Sequence, residues 1–240
     1  MFWEPDDTYL MVPVCSVDSR ETEIEGIEAW AWTNNLALNR KKTRENVFRD
    51  SRRKRLVSPP PPMADIERST TLRILGVSIT NTLSASEHVC EVIKSCAQTQ
   101  YALRTLRVHG LSVSGLYTVF RSVAVAKIMY ASCALSGFVS KRDEQRIDAF
   151  LRRDKKCGFC QPDLSSFQEL CDAADEQLFD KIQRNKDHLL HYLLPPPSAA
   201  SQCYNLRRRP HSQLLPQHPG HLMDSNFITR IGQLYKNINY

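Results

Sequence analysis

Asp6 and Asp7 stand side by side just ahead of an apolar run of strand-forming residues, Thr8-Tyr9-Leu10-Met11-Val12-Pro13-Val14. Adjacent carboxylates at the mouth of a strand can hold divalent metals, and phosphoryl-transfer sites use two such ions about 3.5–4 Å apart to activate the attacking oxygen and stabilise the leaving one. A vicinal acid pair is also common on solvated surfaces, so its meaning depends on the elements around it. Cys157-Gly158-Phe159-Cys160, with Cys171 beyond, raises a second metal chemistry. A structural zinc site needs four N or S ligands, usually as two close pairs. No second pair is evident, because His188 and His191 fall on an expected helix and Cys203 stands alone. These thiols read as unpaired, and zinc is not expected.

The elements that must position these groups follow from periodicity. Thr8 to Val14 reads as a strand. Glu21 to Asn34 places Ile24, Ile27, Trp30 and Ala31 on one face at helical spacing, which predicts an amphipathic helix packed on a sheet. Asn46-Val47-Phe48 reads as a short strand. Arg52-Arg53-Lys54-Arg55 and Pro59 to Pro62 mark a loop, since prolines supply no ladder donors. Leu72 to Ile79 alternates around Gly76 and reads as one strand with a close backbone approach. From Ser84 the period becomes helical. Ser84-x-x-Glu87 predicts a capping box and His109-Gly110 a helix end. Ser112 to Leu135 predicts one or two helices, Arg142 to Lys156 another, and Ser166-x-x-Glu169 opens a further one. After Pro195-Pro196-Pro197 the tail is rich in Pro, His, Gln and Arg until Phe227 to Tyr235, a candidate docking helix.

Composition narrows the function classes. With 240 residues, 42% of them hydrophobic and 24% charged, the chain is neither disordered throughout, collagen-like nor a disulfide miniprotein. No apolar stretch approaches the ~20 residues of a spanning helix, the best run being interrupted by Lys127, so no membrane partner is expected. The first residues lack a basic start and an apolar core, and the eight cysteines are scattered, which fits reduced thiols in an intracellular protein of the nucleus or cytoplasm. The net charge of +6 is uneven: residues 1–38 hold eight acids against one base, whereas the other 202 residues hold 31 bases and 18 acids. A basic body suggests a polyanionic partner.

Taken in order, Asp6-Asp7, the helix ending in Trp30-Ala31-Trp32, Leu38-Asn39-Arg40-Lys41-Lys42-Thr43, Leu75-Gly76-Val77-Ser78-Ile79 and the helical stretch with Tyr101-Ala102-Leu103-Arg104 and Tyr130-Ala131-Ser132 resemble the back half of a reverse transcriptase. The similarity is to non-LTR, LINE-type retrotransposons of the Jockey-like kind, and it continues through Glu169 to Asp175 and Tyr204 to Arg207. The resemblance implies an α+β chain. Residues 1–83 would be a partial palm of short antiparallel strands plus one helix, 84–158 a helical thumb, 159–194 a helical extension and 195–240 a Pro/Arg-rich tail. It implies RNA-templated DNA synthesis with Mg2+ as cofactor and an RNA template and DNA primer as partners. Asp6 and Asp7 would be catalytic metal ligands, and Lys42 would protonate the departing pyrophosphate. Leu75 and Gly76 would form the primer grip, and Arg104, Arg107, Arg121 and Lys127 would meet template-primer phosphates.

The sequence also departs from that family. Glu4-Pro5 stands where the family has an aromatic-Ala pair, and fingers, the first palm strand with its aspartate and any endonuclease are not matched. The expectation is a carboxyl-terminal remnant that does not polymerise alone. The competing expectation is a non-enzymatic helical protein that binds RNA or DNA through its basic face.

Overall fold

The computed structural model describes residues 8–49, 58–196 and 224–231. Asp6 and Asp7, the Arg52 to Arg55 run, and the tail other than 224–231 lie outside the described residues. The chain is α+β, with helices and, among the described residues, two small two-stranded sheets. Its described backbone divides into two compact units, one of residues 8–49, 58–73 and 80–82, the other of 74–79, 83–196 and 224–231.

In the first unit the expected helix is present as α1 (Arg20–Thr33), with Ile24 and Ala31 buried, but Trp30 is 57% exposed instead of facing inward. Thr8 to Val14 is not a strand. Residues 8–13 are irregular, Pro13 caps a 3-10 segment at Val14–Ser19, and the Ser16 N–H bonds the Pro13 carbonyl at 2.9 Å. Proline has no N–H for a ladder, so the run ends there. The strand expected at Asn46-Val47-Phe48 forms two residues earlier, as β1 (Arg44–Glu45), paired with β2 (Glu67–Arg68). The pairing is parallel, with Arg44 opposite Glu67 and Glu45 opposite Arg68. The expected antiparallel arrangement is therefore replaced here, and the long connection between the strands permits it.

Charge positions this pair. The Glu45 carboxylate accepts from Arg20 at 2.6 Å and from Arg68 at 2.8 and 2.7 Å. The same two guanidiniums donate to the Pro60 and Pro61 carbonyls. Prolines give no N–H but their carbonyls still accept, so the proline segment is tied down by arginine. Arg40 forms a two-point bond to Glu28 at 2.6 and 2.9 Å.

Leu72 to Ile79 is not one strand but a hairpin: β3 (Thr71–Ile74) and β4 (Val77–Thr80) flank Leu75 and Gly76, at φ +47° and +82°. Positive φ at both central positions defines the tight turn whose twist matches paired strands. Leu75 holds it at a cost that glycine would not incur.

The second unit is a helical bundle. Helix α2 (Ser86–Val108) starts later than the Ser84 capping box predicts: its N-cap is Ala85, and the Ser84 hydroxyl accepts from the Ser86 N–H instead. It ends as expected, with Gly110 at φ +88°. Then come α3 (Val113–Val119), a π-helical turn at Phe120–Val125, α4 (Ala126–Ile128), a break at Ala131 (φ +54°), and α5 (Ser132–Leu135). Helix α6 (Lys141–Lys156) is capped by the Ser140 hydroxyl, and α7 (Phe167–Arg184) by the predicted Ser166/Glu169 box. Val113–Phe138 is long and apolar enough to cross a membrane, yet it is broken at Ala131, and its Leu116, Phe120 and Ala124 lie in the core of this unit. They pack with Cys96 and Leu103 of α2, Phe150 and Leu151 of α6, and Phe159.

Of the docking helix anticipated over Phe227 to Tyr235, residues 227–231 are helical and the remainder lies outside the described residues; Ile231, Thr229 and Ser225 are buried. The Arg230 guanidinium bonds Asp175 of α7 at 2.6 and 3.1 Å and donates to the Cys133 carbonyl at 2.9 Å. Gly137 admits this segment, because a Cβ there would collide with the Ser225 backbone.

Candidate nucleic-acid interface

The basic groups are arranged by the pairing of α2 with α6. Ser86 bonds Asp143, Cys90 lies 3.2 Å from both terminal nitrogens of Arg146, Gln100 bonds Asp154 at 2.8 Å, and Arg107 bonds the Cys157 carbonyl at 2.7 Å. Partner numbers rise together along both helices, so the two run parallel. Residues three and four apart share a helix face. On α2 the exposed row beside α6 is Cys90, Lys94, Ala97, Tyr101, Arg104 and Val108. On α6 the matching exposed row is Arg142, Arg146, Ala149, Arg153 and Lys156, with Arg152 next to it.

Neither row contains an acid. The acids of α6 are taken up by other partners: Asp143 is buried, bonded by Ser86 and Ser140 and ion-paired at 2.9 Å with Arg146 of the row, Glu144 pairs with Lys141, and Asp148 accepts from the Phe167 N–H. Asp154 is fully buried. Glu87 and Glu91 lie on the neighbouring row of α2, and Glu91 accepts from Ser78. The two rows form a cationic strip about 21 Å long at 1.5 Å per residue from Arg142 to Lys156.

The residues singled out in the sequence fall in different places. Arg104 is in the strip. Arg107 is engaged within the unit, bonding the C-terminal carbonyl of α6 and lying 4.7 Å over the Phe159 ring, a position where a cation also complements the helix dipole. Lys127 bonds the Ser95 hydroxyl at 2.6 Å, on the flank of α2 away from α6. Arg121 is exposed and makes no hydrogen bond or ion pair among the described residues. Lys42 is exposed in a turn, its N–H bonding the Asn39 carbonyl at 3.0 Å. Leu75 and Gly76 form the hairpin turn, where the Tyr130 hydroxyl donates to the Leu75 carbonyl at 2.8 Å and its ring would lie 3.8 Å from a Cβ on Gly76. The arginines and lysine of α6 carry no motif that marks them out. Their four-three spacing is legible in the sequence, but not which helix lies beside them.

Among the described residues no group of three or more His, Cys, Asp or Glu is placed to hold a metal ion. Burial pushes the thiols of Cys96, Cys133 and Cys160 up to about 11 and that of Cys171 to about 12, which keeps them protonated and poorly nucleophilic. Asp6 and Asp7, the residues implied for Mg2+, lie outside the described residues.

Asp154 lies under the strip. Burial raises its carboxyl to about 6, against the opposing pull of the Gln100 hydrogen bond and of Arg153 and Arg104. Its Oδ2 has no hydrogen-bond partner among the described residues. An acid with a raised native pKa binds its proton more tightly folded than unfolded, so stability falls as pH rises from about 4 to about 6 and levels off above that. Asp154→Asn is expected to raise stability at pH 8 by about 1–2 kcal/mol. Its gain over wild type should shrink toward pH 4.5, as read by urea denaturation at the two pH values.

No protein-family model, curated protein or solved structure matches the chain.

Proposed function

We propose that this chain is the carboxyl-terminal part of a non-LTR retrotransposon reverse transcriptase, whose helical unit acts as a thumb gripping the phosphates of a template-primer. The observation that carries this reading is the acid-free cationic strip of α2 and α6, with Lys94, Arg104, Arg142, Arg146, Arg153 and Lys156 exposed along one side of the bundle. Six cations over about 21 Å match more than half a turn of duplex, at roughly 34 Å per turn. Neutralising phosphates releases counterions, which drives binding without a catalytic site. The ordered motifs from Asp6 to Arg207 supply the polymerase part of the reading.

The non-enzymatic alternative draws on the same strip, because all six cations belong to one unit and none depends on Asp6 or Asp7. The polypeptide of these 240 residues is expected to bind a primed RNA template without extending the primer. Filter binding with long inorganic polyphosphate as competitor, followed by a primer-extension assay with magnesium and deoxynucleotides, tests both points. Retained binding without extension supports the reading. Complete displacement by an equal concentration of polyphosphate phosphates would reduce the strip to a general polyanion surface, and extension would overturn the expected inactivity.

A further inference from the structure

We propose that Tyr101 is a base-stacking residue for single-stranded nucleic acid, set in the middle of the cationic strip. This rests on the nucleic-acid reading of α2 and α6 and adds a ligand contact to it. Tyr101 is 74% exposed although it lies in the interior of a 23-residue helix. Its hydroxyl makes no hydrogen bond among the described residues. Ala97 and Ala102 border it, so short side chains leave the ring uncovered. Along the exposed row, Lys94 comes seven residues before it and Arg104 three after, and Arg146 and Arg153 run alongside on α6. Val108, 84% exposed, continues the apolar part of the row.

A lone exposed aromatic needs no explanation. An aromatic face between cations that flank it on the same row and the neighbouring helix has a specific use. The cations hold the sugar-phosphate chain while a base lays its π-face on the ring, the combination by which single strands are bound without sequence preference. Charge complementarity selects the occupant: the unpaired part of a template-primer, a polyanion with exposed bases, fits both parts, whereas the paired part offers its phosphates but keeps its bases stacked internally.

The test uses the full chain with oligouridine of 12 nucleotides, an abasic strand of the same length and a matched duplex. The proteins are wild type, Tyr101→Ala, Tyr101→Leu and Tyr101→Trp, with affinities measured across a salt series. Tyr101 is exposed, so these substitutions leave the core intact, which circular dichroism confirms. Removing one stacked base costs roughly 5- to 150-fold in affinity. The expected result is a loss of about tenfold or more for Ala and Leu on oligouridine at unchanged salt slope, near-normal affinity for Trp, and no change on the abasic strand. Equal affinity of Ala and wild type for oligouridine overturns the stacking role and leaves the strip standing. An equal loss on the abasic strand also overturns it, because Tyr101 would then act through α2 itself. Absence of binding to every strand at low salt overturns the stacking role together with the nucleic-acid reading beneath it.

Discussion

Arg230→Ala is expected to destabilise the chain by about 3–5 kcal/mol, the cost of stranding a buried charge by removing its partner. Asp175 is 1% exposed, and burial already pushes its carboxyl above the ordinary range against the opposing pull of Arg230. Without the guanidinium, that carboxylate keeps its desolvation and loses two charge-assisted bonds. The Cys133 and Ser225 carbonyls lose a donor as well. Urea denaturation reads the loss, and hydrogen exchange of residues 224–231 should show their amides exposed first. Asp175→Asn in the Arg230→Ala background should recover part of the stability, because a neutral amide costs less to bury than an unpaired carboxylate. No recovery would mean that the ion pair is not what holds this segment.

The second large effect falls on binding. Arg142, Arg152, Arg153 and Lys156 are exposed, make no side-chain hydrogen bond among the described residues, and carry four of the charges on the solvated side of α6. Changing all four to Gln should leave the fold intact, since the apolar side of α6 (Ile147, Phe150, Leu151) and its Ser140 cap are untouched. Each phosphate contact contributes about 0.9 to the slope of log affinity against log salt on duplex. Loss of three or four contacts should therefore cut affinity at 50 mM salt by about 100-fold or more and flatten the slope by about three. A variant that binds as wild type does would place the nucleic acid elsewhere, with the exposed Arg121 and with Lys127, which bonds Ser95 of α2, the next residues to change.

Helices were the readable part of this sequence because their signals are local. The apolar period of α2, α6 and α7, the Ser166/Glu169 box and the His109-Gly110 ending all formed as their residues imply. Strands were less readable. Leu72 to Ile79 has the alternation of one strand, and the turn inside it uses Leu75 at positive φ, where the usual Asn-Gly or Asp-Gly signal is missing. Pro13 ends the run from Thr8 before it can pair. Ser84 satisfies the local rule for a cap, but its hydroxyl closes a turn one step early. The cationic strip divides the same way. The spacing of Arg142, Arg146, Arg153 and Lys156 is written in the chain, while their placement beside Lys94, Tyr101 and Arg104 follows from the contacts of Cys90 with Arg146 and Gln100 with Asp154, which join residues more than 50 positions apart.

Whether the paired basic rows of α2 and α6 grip nucleic acid is decided by the affinity of the full chain for a primed RNA template between about 50 and 200 mM salt. Tight binding at 50 mM and a log–log slope of about −4 are expected, as four to five phosphate contacts require. No binding at about 50 mM, or binding indifferent to salt, would contradict the proposal.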